Sequence, residues 1–288
     1  YTKANVIINP KKNNGYLEYD YLCATALTYF FLEMLLKKFQ HKINLRKYLI
    51  YVLLATVCDV MPLRKYNRLI SITAIKEFKL TDNPVFDKLY KLNNKKSKIS
   101  INDLGYLIGP ILNAGGRLAK SNYATELLST NSSLIINKRS TELISLNEKR
   151  KKIENINLNN IDYNKIEKDD KNIIIYYDPN INEGLIGIIA SRLKDYFNKP
   201  SIVITNSNNI LKASARSTTT YNIGQLIKLL VEKKIIEKGG GHNMAAGFTI
   251  KKNNINILDD FIQKDFLKKN FNKKNTNNYD GEISVSAI

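Results

Sequence analysis

A run of three glycines, Gly239 to Gly241, leads directly into His242 and is the most distinctive chemical feature of the sequence. Glycine adopts backbone torsions that other residues avoid, and successive exposed N–H groups can form a nest for an anion. The chain has only 2 histidines, so an imidazole directly after this run suggests a chemical role. We predict an anion site whose backbone donors are Gly240 and Gly241 and whose catalytic side chain is His242.

A second segment places hydroxyl groups on both sides of an arginine, in Ser214, Arg216 and Ser217. If this segment is a β-strand, Ser214 and Arg216 point to the same face of the sheet. Hydroxyls, guanidinium groups and backbone N–H groups are the usual ligands of phosphate. The three residues are therefore candidate phosphate contacts, and a polar edge strand is the alternative interpretation.

A third segment, Gly109 to Arg117, is rich in small residues, which allow a backbone to approach a ligand closely. Asn113 can both donate and accept hydrogen bonds, and Arg117 can hold a phosphate through two parallel hydrogen bonds. The same pattern is typical of a tight loop that carries a surface arginine. Both interpretations stay open for this segment.

Asp59 follows the apolar run of residues 46–57 and precedes Val-Met-Pro-Leu, so we expect it not to be an ordinary solvated acid. A carboxylate in such surroundings needs a metal, an arginine or backbone donors. Mn²⁺ and Mg²⁺ prefer carboxylate oxygen, which makes Asp59 a candidate metal ligand. Chemistry alone favours the other interpretation, an aspartate at a helix end or turn that backbone N–H groups satisfy.

The elements that must position these residues follow from hydrophobic periodicity, which predicts a helical first half and an alternation of strands and helices after it. Residues 91–100 and 161–172 are polar and are predicted to be a loop and a linker. Helices are predicted at 21–39, 66–78, 121–130, 132–160, 184–197 and 221–233, and strands at 173–177, 201–205, 211–215 and 246–250.

Composition limits the class of protein. The formal net charge of +19 favours a polyanionic partner, either nucleic acid or a membrane surface, although lysine excess from an AT-rich genome would give the same value. Cys23 and Cys58 form no disulfide framework, which favours a reducing cytosol. We expect neither a signal peptide nor a membrane span.

Taken together and in this order, the motifs resemble those of the RecJ branch of the DHH phosphoesterase superfamily, from about Asn9 to about Ile250. Ala55 to Leu63 resembles the family motif whose aspartate binds the catalytic metal, and this role carries to Asp59. Leu107 to Leu118 resembles the motif that contributes Asn113, Gly116 and Arg117. The segments Gly184 to Arg192, Ser214 to Ser217 and Gly239 to Gly247 resemble the motifs of the family's DHHA1 domain.

The resemblance implies an α/β protein with two α/β domains joined by a long helix. Residues 1–131 would be the C-terminal part of a DHH domain, 132–170 a connecting helix and linker, 171–267 a DHHA1 domain, and 268–288 a linker towards an OB-type domain. It also implies a cytoplasmic 5′→3′ exonuclease of repair and recombination that requires Mn²⁺ or Mg²⁺. Single-stranded DNA would be the substrate of this monomer, and a single-strand-binding protein and a helicase would be its partners.

Three departures from the family pattern affect this expectation. Ile111 and Asn182 stand where many members have Arg and His, and the motifs that supply most of the metal ligands do not occur in the chain. We therefore expect little or no nuclease activity from this chain alone. Two alternatives remain: a DHH–DHHA1 phosphodiesterase acting on short oligonucleotides or nucleotides, and a non-catalytic fragment that binds nucleic acid.

Overall fold

The computed structural model describes residues 3–11, 17–118 and 120–270, and it divides into two compact units on either side of the bond between Lys149 and Arg150. Helices are the regular elements of the first unit, and no strand occurs among its described residues 3–11, 17–118 and 120–149. The α-helices are α1 (Ala24–Lys38), α2 (Leu49–Cys58), α3 (Lys65–Glu77), α4 (Pro84–Leu92), α5 (Ile101–Asp103), α6 (Gly109–Arg117) and α7 (Tyr123–Ser129). A π-helical segment, Leu104–Ile108, joins α5 to α6.

The core of the first unit forms where α2, α4 and the π-helical segment bury their apolar side chains. Leu53, Phe86, Leu89, Leu104 and Ile108 are all fully buried there. Helix α2 is apolar along its whole length, as expected of a central helix that other helices surround. The ends of α2 and of the helix that follows the π-helical segment are therefore held at fixed positions by this core.

Asp103 closes the first turn of α5 and gives a pH-dependent prediction. Its carboxylate accepts hydrogen bonds from the Ser100 hydroxyl (2.6 Å) and pairs with the Lys95 ammonium (2.9 Å). Burial raises the pKa of Asp103, but these donors outweigh burial, and the pKa falls from 3.8 to about 2. The charged form is therefore favoured in the folded state. It contributes about 2 kcal/mol to the free energy of unfolding, and this contribution is fully present above the pKa of the unfolded state.

We expect this contribution to be lost as the pH falls from 3.8 towards 2. Urea unfolding of the wild type and of Asp103→Asn, repeated across this range, checks it. The two proteins should differ by about 2 kcal/mol in free energy of unfolding at neutral pH and should converge at the acid end. A difference that stays constant with pH would contradict the prediction.

Helix α8 (Ser133–Asn159) is the long helix predicted at 132–160, and it crosses the boundary between the units. Its C-terminal half is held within the second unit by Glu154, whose side chain is 5% exposed. The Glu154 carboxylate pairs with Arg150 at 2.6 Å and with Arg192 at 3.0 Å. Removing this carboxylate would leave the two guanidinium groups without their counter-ion. The two ion pairs of Glu154 therefore hold α8 against the helix that carries Arg192.

The second unit contains a five-stranded sheet in the order β1-β2-β3-β5-β4. Strand β1 runs parallel to β2, and the other neighbouring pairs are antiparallel. The strands are β1 (Ile174–Tyr177), β2 (Ser201–Ser207), β3 (Ile210–Arg216), β4 (Lys238–His242) and β5 (Ala245–Ile250). The helices are α9 (Tyr163–Asp169), α10 (Ile186–Phe197), α11 (Ile223–Glu232) and α12 (Ile255–Asn270).

Helices cover the two faces of this sheet unequally. Helices α11 and α12 pack on one face, here called the α11 face, where Ile202, Ala213, Ala215 and Phe248 form a core with their side chains. Helix α10 packs on the opposite face, the α10 face, against β2 and β3. Strand alternation therefore sends the apolar residues of β3 and β5 to the α11 face and their polar residues to the α10 face.

The mixed α/β class is confirmed, and the sheet lies in the second unit. The expectation of two α/β domains differs from the helical character of the first unit's described residues, whose apolar segments form helices. The predicted linker at 161–172 contains helix α9, which begins where Asp162 accepts a hydrogen bond from the N–H of Lys165 (3.0 Å). Most of the predicted linker at 268–288 lies outside the described residues.

Among the described residues, no helix combines the length and the apolar character that crossing a membrane requires.

Candidate functional site

One row of the site crosses three neighbouring strands on the α10 face. Arg216 of β3 pairs in register with Ala245 of β5, which pairs with His242 of β4. Residues opposite one another in antiparallel strands project to the same face. The sheet therefore places the guanidinium and the imidazole on the same face, with one small side chain between them.

A second row lies two residues along the same strands and also faces this side. Ser214 pairs with Gly247, which pairs with Gly240. A Cβ atom added to Gly240 would meet no described atom within 4 Å, and one added to Gly247 would lie 3.6 Å from a carbonyl oxygen, an ordinary contact. Gly240 and Gly247 therefore form an open surface, here called the glycine floor, between Ser214 and the edge of the sheet.

The glycine run is strand β4, and the predicted nest is wrong. None of its three residues has a positive φ of the kind that a nest requires, so the run does not use the torsions that only glycine favours. Gly239 and Gly241 serve close packing instead. A Cβ on Gly239 would lie 2.7 Å from the side chain of Ile227, and one on Gly241 would lie 2.4 Å from the carbonyl oxygen of Ala245.

Arg216 is held in place by its own strand and by helix α10. Its Nη1 donates to the Ser214 hydroxyl (3.0 Å) and to the carbonyl oxygen of Ala215 (2.9 Å). Gly187 of α10 brings the helix close, since a Cβ there would lie 2.8 Å from Nη2 of Arg216 and 3.1 Å from the Ser214 hydroxyl. Gly187 is thus a positioning residue for Arg216. It lies within the segment Gly184 to Arg192, but the sequence did not indicate this role.

His242 is exposed at the end of β4 and accepts a hydrogen bond at Nδ1 from the backbone N–H of Met244 (3.3 Å). An accepting nitrogen carries no proton, so in the neutral ring Nε2 carries it and can donate to a ligand. The hairpin that carries the ring is tied down at both of its turn residues. The N–H of Ser217 donates to the carbonyl of Met244 (2.9 Å), and that of Ile223 donates to the carbonyl of Asn243 (3.1 Å).

Ser217 differs from the other predicted phosphate contacts because its side chain is buried. The residue is 1% exposed, and its hydroxyl donates to the carbonyl oxygen of Tyr221 at 2.7 Å. This hydrogen bond closes the loop between β3 and α11. The structure therefore gives Ser217 a role in holding the loop, and its predicted contact with nucleic acid stays a prediction.

In the first unit, the segment Gly109 to Arg117 forms helix α6, so its interpretation as a tight loop is wrong. Gly109 and Gly115 are there for packing, because a Cβ on them would lie 2.6 Å from the Cys58 thiol and 2.5 Å from the carbonyl of Lys120. Asn113, Gly116 and Arg117 have the spacing i, i+3 and i+4, which puts them on one helix face. Asn113 and Gly116 are exposed, and Arg117 is partly buried.

Asp59 caps the C-terminus of α2 and is exposed, so the expectation that it is not a solvated acid is wrong. Its backbone N–H donates to the carbonyl oxygen of Ala55 (2.9 Å). The two following N–H groups reach back to the helix, from Val60 to Val57 (3.1 Å) and from Met61 to Thr56 (3.0 Å). This pattern is a Schellman motif, so Asp59 stands at the end of the helix as the second interpretation expected.

Val60 occupies the position of this motif where glycine is usual. Its φ is 53° and its side chain is 87% exposed, so a β-branched residue takes a left-handed conformation without burying its side chain. That conformation costs about 1–2 kcal/mol in a residue with a Cβ atom. Such strain next to an exposed carboxylate is typical of functional turns.

We expect Val60→Gly to raise the free energy of unfolding by about 0.5–1 kcal/mol, because the gain from relieved strain exceeds the added entropy of the unfolded chain. Chemical denaturation of the whole chain measures this. Val57→Gly, inside α2, is the matched control and should be destabilising. Loss of stability in Val60→Gly would show that the turn is not strained.

The described residues do not by themselves complete a metal site. Within residues 3–11, 17–118 and 120–270, no group of three or more His, Cys, Asp and Glu side chains could hold a metal ion. Mg²⁺ and Mn²⁺ take six ligands, mostly oxygen. Asp59, exposed at the end of α2, could supply one of them.

The structure thus groups the predicted residues in three places. Ser214, Arg216, Gly240 and His242 share one sheet face, and Gly241 lies beside them on β4. Asn113 and Arg117 share a helix face in the first unit, while Asp59 belongs to another helix of that unit.

Comparison with known proteins gives relatives for both units. Residues 170–268 match the DHHA1 domain family. The chain is 28% identical over 269 residues to the single-stranded-DNA-specific exonuclease RecJ of Haemophilus influenzae, a match that covers 87% of this chain and 47% of that protein. It is 30% identical over 206 residues to the RecJ exonuclease of Bacillus subtilis, covering 70% of this chain and 26% of that protein.

The fold is similar to that of RecJ from Thermus thermophilus, crystallised with Mg²⁺. The TM-score is 0.73 at 20% identity, and the match covers 84% of this chain and 38% of that one. A structure of the same protein with Mn²⁺ gives the same TM-score. The chain spans less than half the length of the curated relatives described above.

Proposed function

We propose, on the premise that this is a RecJ-like chain with a DHHA1 domain at residues 170–268, that its open sheet face binds the backbone of single-stranded DNA. The observation that carries the proposal is the arrangement of Arg216, Ser214 and His242 around the glycine floor. Three kinds of donor lie around a surface where a Cβ added to Gly240 would meet no described atom within 4 Å.

The chemistry of these groups suits a phosphodiester. A guanidinium binds phosphate oxygens through parallel hydrogen bonds, and hydroxyl and imidazole N–H groups add single donors. None of these contacts reads a base, so binding would be independent of sequence. The net charge of +19 would strengthen it through the release of counterions.

For the whole protein, we propose hydrolysis of phosphodiester bonds in single-stranded DNA from the 5′ end, with Mn²⁺ or Mg²⁺. The relatives are named as single-stranded-DNA-specific exonucleases, which supports the substrate class. Asp59 would supply one metal ligand. Its carboxylate lies at the negative end of the α2 dipole, where a bound cation would offset an unfavourable interaction.

The remaining parts of the proposal concern the setting of this activity. We propose a role in repair and recombination, in the cytoplasm, with a single-strand-binding protein and a helicase as partners of a monomer. The relatives' names support this only through their shared substrate. A second candidate is binding without hydrolysis, which is favoured because no group of three or more His, Cys, Asp and Glu side chains among the described residues could hold a metal ion.

Binding of the whole chain to labelled oligo-dT, and to the same length of duplex, tests the proposed function. We expect single strands to bind more tightly. The logarithm of the affinity should fall with the logarithm of salt concentration by about 0.7 for each phosphate bound. Absence of binding at low salt would reject the proposal.

Nuclease activity separates the two candidates. Wild type and Asp59→Asn are incubated with labelled single strands and Mn²⁺, and digestion is followed on gels. Digestion by the wild type but not by Asp59→Asn would establish hydrolysis by this chain. That result would contradict our expectation that the chain alone has little or no nuclease activity. Binding without digestion would support the second candidate for the chain alone.

A further inference from the structure

A third row of residues continues the polar face beyond the glycine floor. Lys212 of β3 pairs with Thr249 of β5, which pairs with Lys238 of β4. This row lies two residues from that of Ser214, about 6.7 Å along the strands. The α10 face therefore carries cationic groups on both sides of the floor, with Arg216 at one end and the two lysines at the other.

The threonine between the lysines has an unsatisfied hydroxyl. Thr249 is 8% exposed, and within the part of the chain that the structure describes its Oγ1 atom has no hydrogen-bond partner. A buried hydroxyl without a partner costs free energy. An acceptor placed between the two lysines would satisfy it, and an anionic oxygen suits both the hydroxyl and the ammonium groups.

Lys212 has an internal counter-ion, whereas Lys238 lies exposed on the edge strand. The Lys212 ammonium contacts Glu183 at 2.6 Å, and the other oxygen of Glu183 accepts a hydrogen bond from the Ser207 hydroxyl at 2.6 Å. The lysine and glutamate side chains are 36% and 46% exposed, so water reaches the pair. Such a pair is weak enough for another anion to replace the carboxylate.

We propose that Lys212, Thr249 and Lys238 form a second phosphate subsite, which holds a neighbouring phosphodiester of the strand bound at Arg216. This inference rests on the proposed function, because the first subsite fixes the strand. The Glu183 carboxylate pairs with the Lys212 ammonium when the subsite is empty, and this ion pair breaks when a phosphate binds. A ligand with a single phosphate uses the Arg216 row alone, whereas an oligonucleotide uses both rows.

Two ligands separate the subsites: thymidine 5′-monophosphate, which has one phosphate, and oligo-dT. We expect Lys238→Gln to lower the affinity for oligo-dT about fivefold and to reduce the salt slope by about 0.7, with no change for the mononucleotide. Lys212→Gln should act in the same direction. Glu183→Gln should raise the affinity for oligo-dT, because Lys212 is then released from its carboxylate partner.

Lys228→Gln is the matched control, since it removes the same charge from an exposed position on α11, at the opposite face of the sheet. If Lys238→Gln and Lys212→Gln match Lys228→Gln while Arg216→Ala weakens binding, the second subsite is rejected and the proposed function stands. If oligo-dT does not bind the wild type, or Arg216→Ala leaves binding unchanged, the proposed function itself is rejected. Weaker binding by Glu183→Gln would overturn the exchange at Lys212.

Discussion

We expect replacement of Arg216 with alanine to lower the affinity of the chain for single-stranded oligo-dT by about 10-fold to 100-fold. Hydrogen bonds from a guanidinium to a phosphate are charge-assisted, and each contributes more than a neutral one. The guanidinium is already oriented by Ser214 and Ala215, so little ordering cost accompanies binding. The salt slope should fall by about 0.7, as expected for one lost phosphate contact.

Three variants test whether this loss depends on the geometry of the guanidinium or on charge alone. Arg216→Lys keeps the charge but not the planar fork, so it should restore only part of the affinity. Arg68→Ala removes an exposed arginine from α3 of the first unit and controls for net charge. Gly187→Ala keeps every charge but places a methyl group 2.8 Å from Nη2 of Arg216, so it should weaken binding by displacing the guanidinium.

Fluorescence anisotropy at several salt concentrations measures these affinities, and thermal denaturation confirms that each variant is folded. A flexible arginine can move away from the added methyl group, so Gly187→Ala should remain stable. If Arg216→Ala binds as tightly as Arg68→Ala at low salt, Arg216 does not contact the strand.

The sequence predicted those elements whose side chains repeat with a clear period. Helices α1, α3 and α8 and strands β2, β3 and β5 lie close to their predicted positions, where the apolar residues have helical or alternating spacing or, in β2, form one short continuous run. Strand β4 escaped prediction because glycine has no side chain, and three glycines in a row leave no alternation to detect. Residues 238–242 are a strand because they pair with β5, and this pairing has no signal in their own sequence.

Helix α6 was misinterpreted for a related physical reason. Glycine and proline usually mark turns, but Gly109 and Pro110 lie within a helical stretch that runs without a break from the π-helical segment into α6. Gly109 and Gly115 are required by neighbours that are distant in sequence or lie beyond the helix end, the Cys58 thiol and the carbonyl of Lys120. Composition alone does not distinguish a glycine that bends the backbone from one that admits a neighbour.

For the candidate site, the motifs named the candidate residues, whose chemical roles stay predictions, but they did not indicate how these residues are held. Ser214 and Arg216 share a face, as alternation along a strand requires. The exposure of Asp59 could not be read from its apolar neighbours, because it depends on where α2 ends in the fold. The burial of Ser217 likewise depends on a hydrogen bond to Tyr221 across the loop.

The same substitution at two adjacent glycines of β4 should have opposite effects on stability. We expect Gly241→Ala to lower the free energy of unfolding by about 3 kcal/mol. Its Cβ would lie 2.4 Å from the carbonyl oxygen of Ala245 and 2.5 Å from the Cα of Ala246, both in the backbone of the paired strand. Backbone atoms cannot move aside as a flexible side chain can, so the hairpin must distort.

Gly240→Ala should instead be neutral or stabilising by about 0.5 kcal/mol, because its Cβ meets no described atom within 4 Å and alanine restricts the unfolded chain. Urea unfolding of both variants measures the difference. A nest of left-handed glycines would make Gly240→Ala as damaging as Gly241→Ala, so equal destabilisation would refute the extended strand.

Binding adds a second readout to this pair. The methyl group of Gly240→Ala would stand on the glycine floor between Ser214 and the sheet edge, where the proposed phosphate lies. We therefore expect a stable variant with weaker affinity for oligo-dT. Unchanged affinity would show that the DNA strand binds elsewhere on the unit. A stable variant that binds poorly would show that the binding defect comes from the glycine floor and not from a loss of packing.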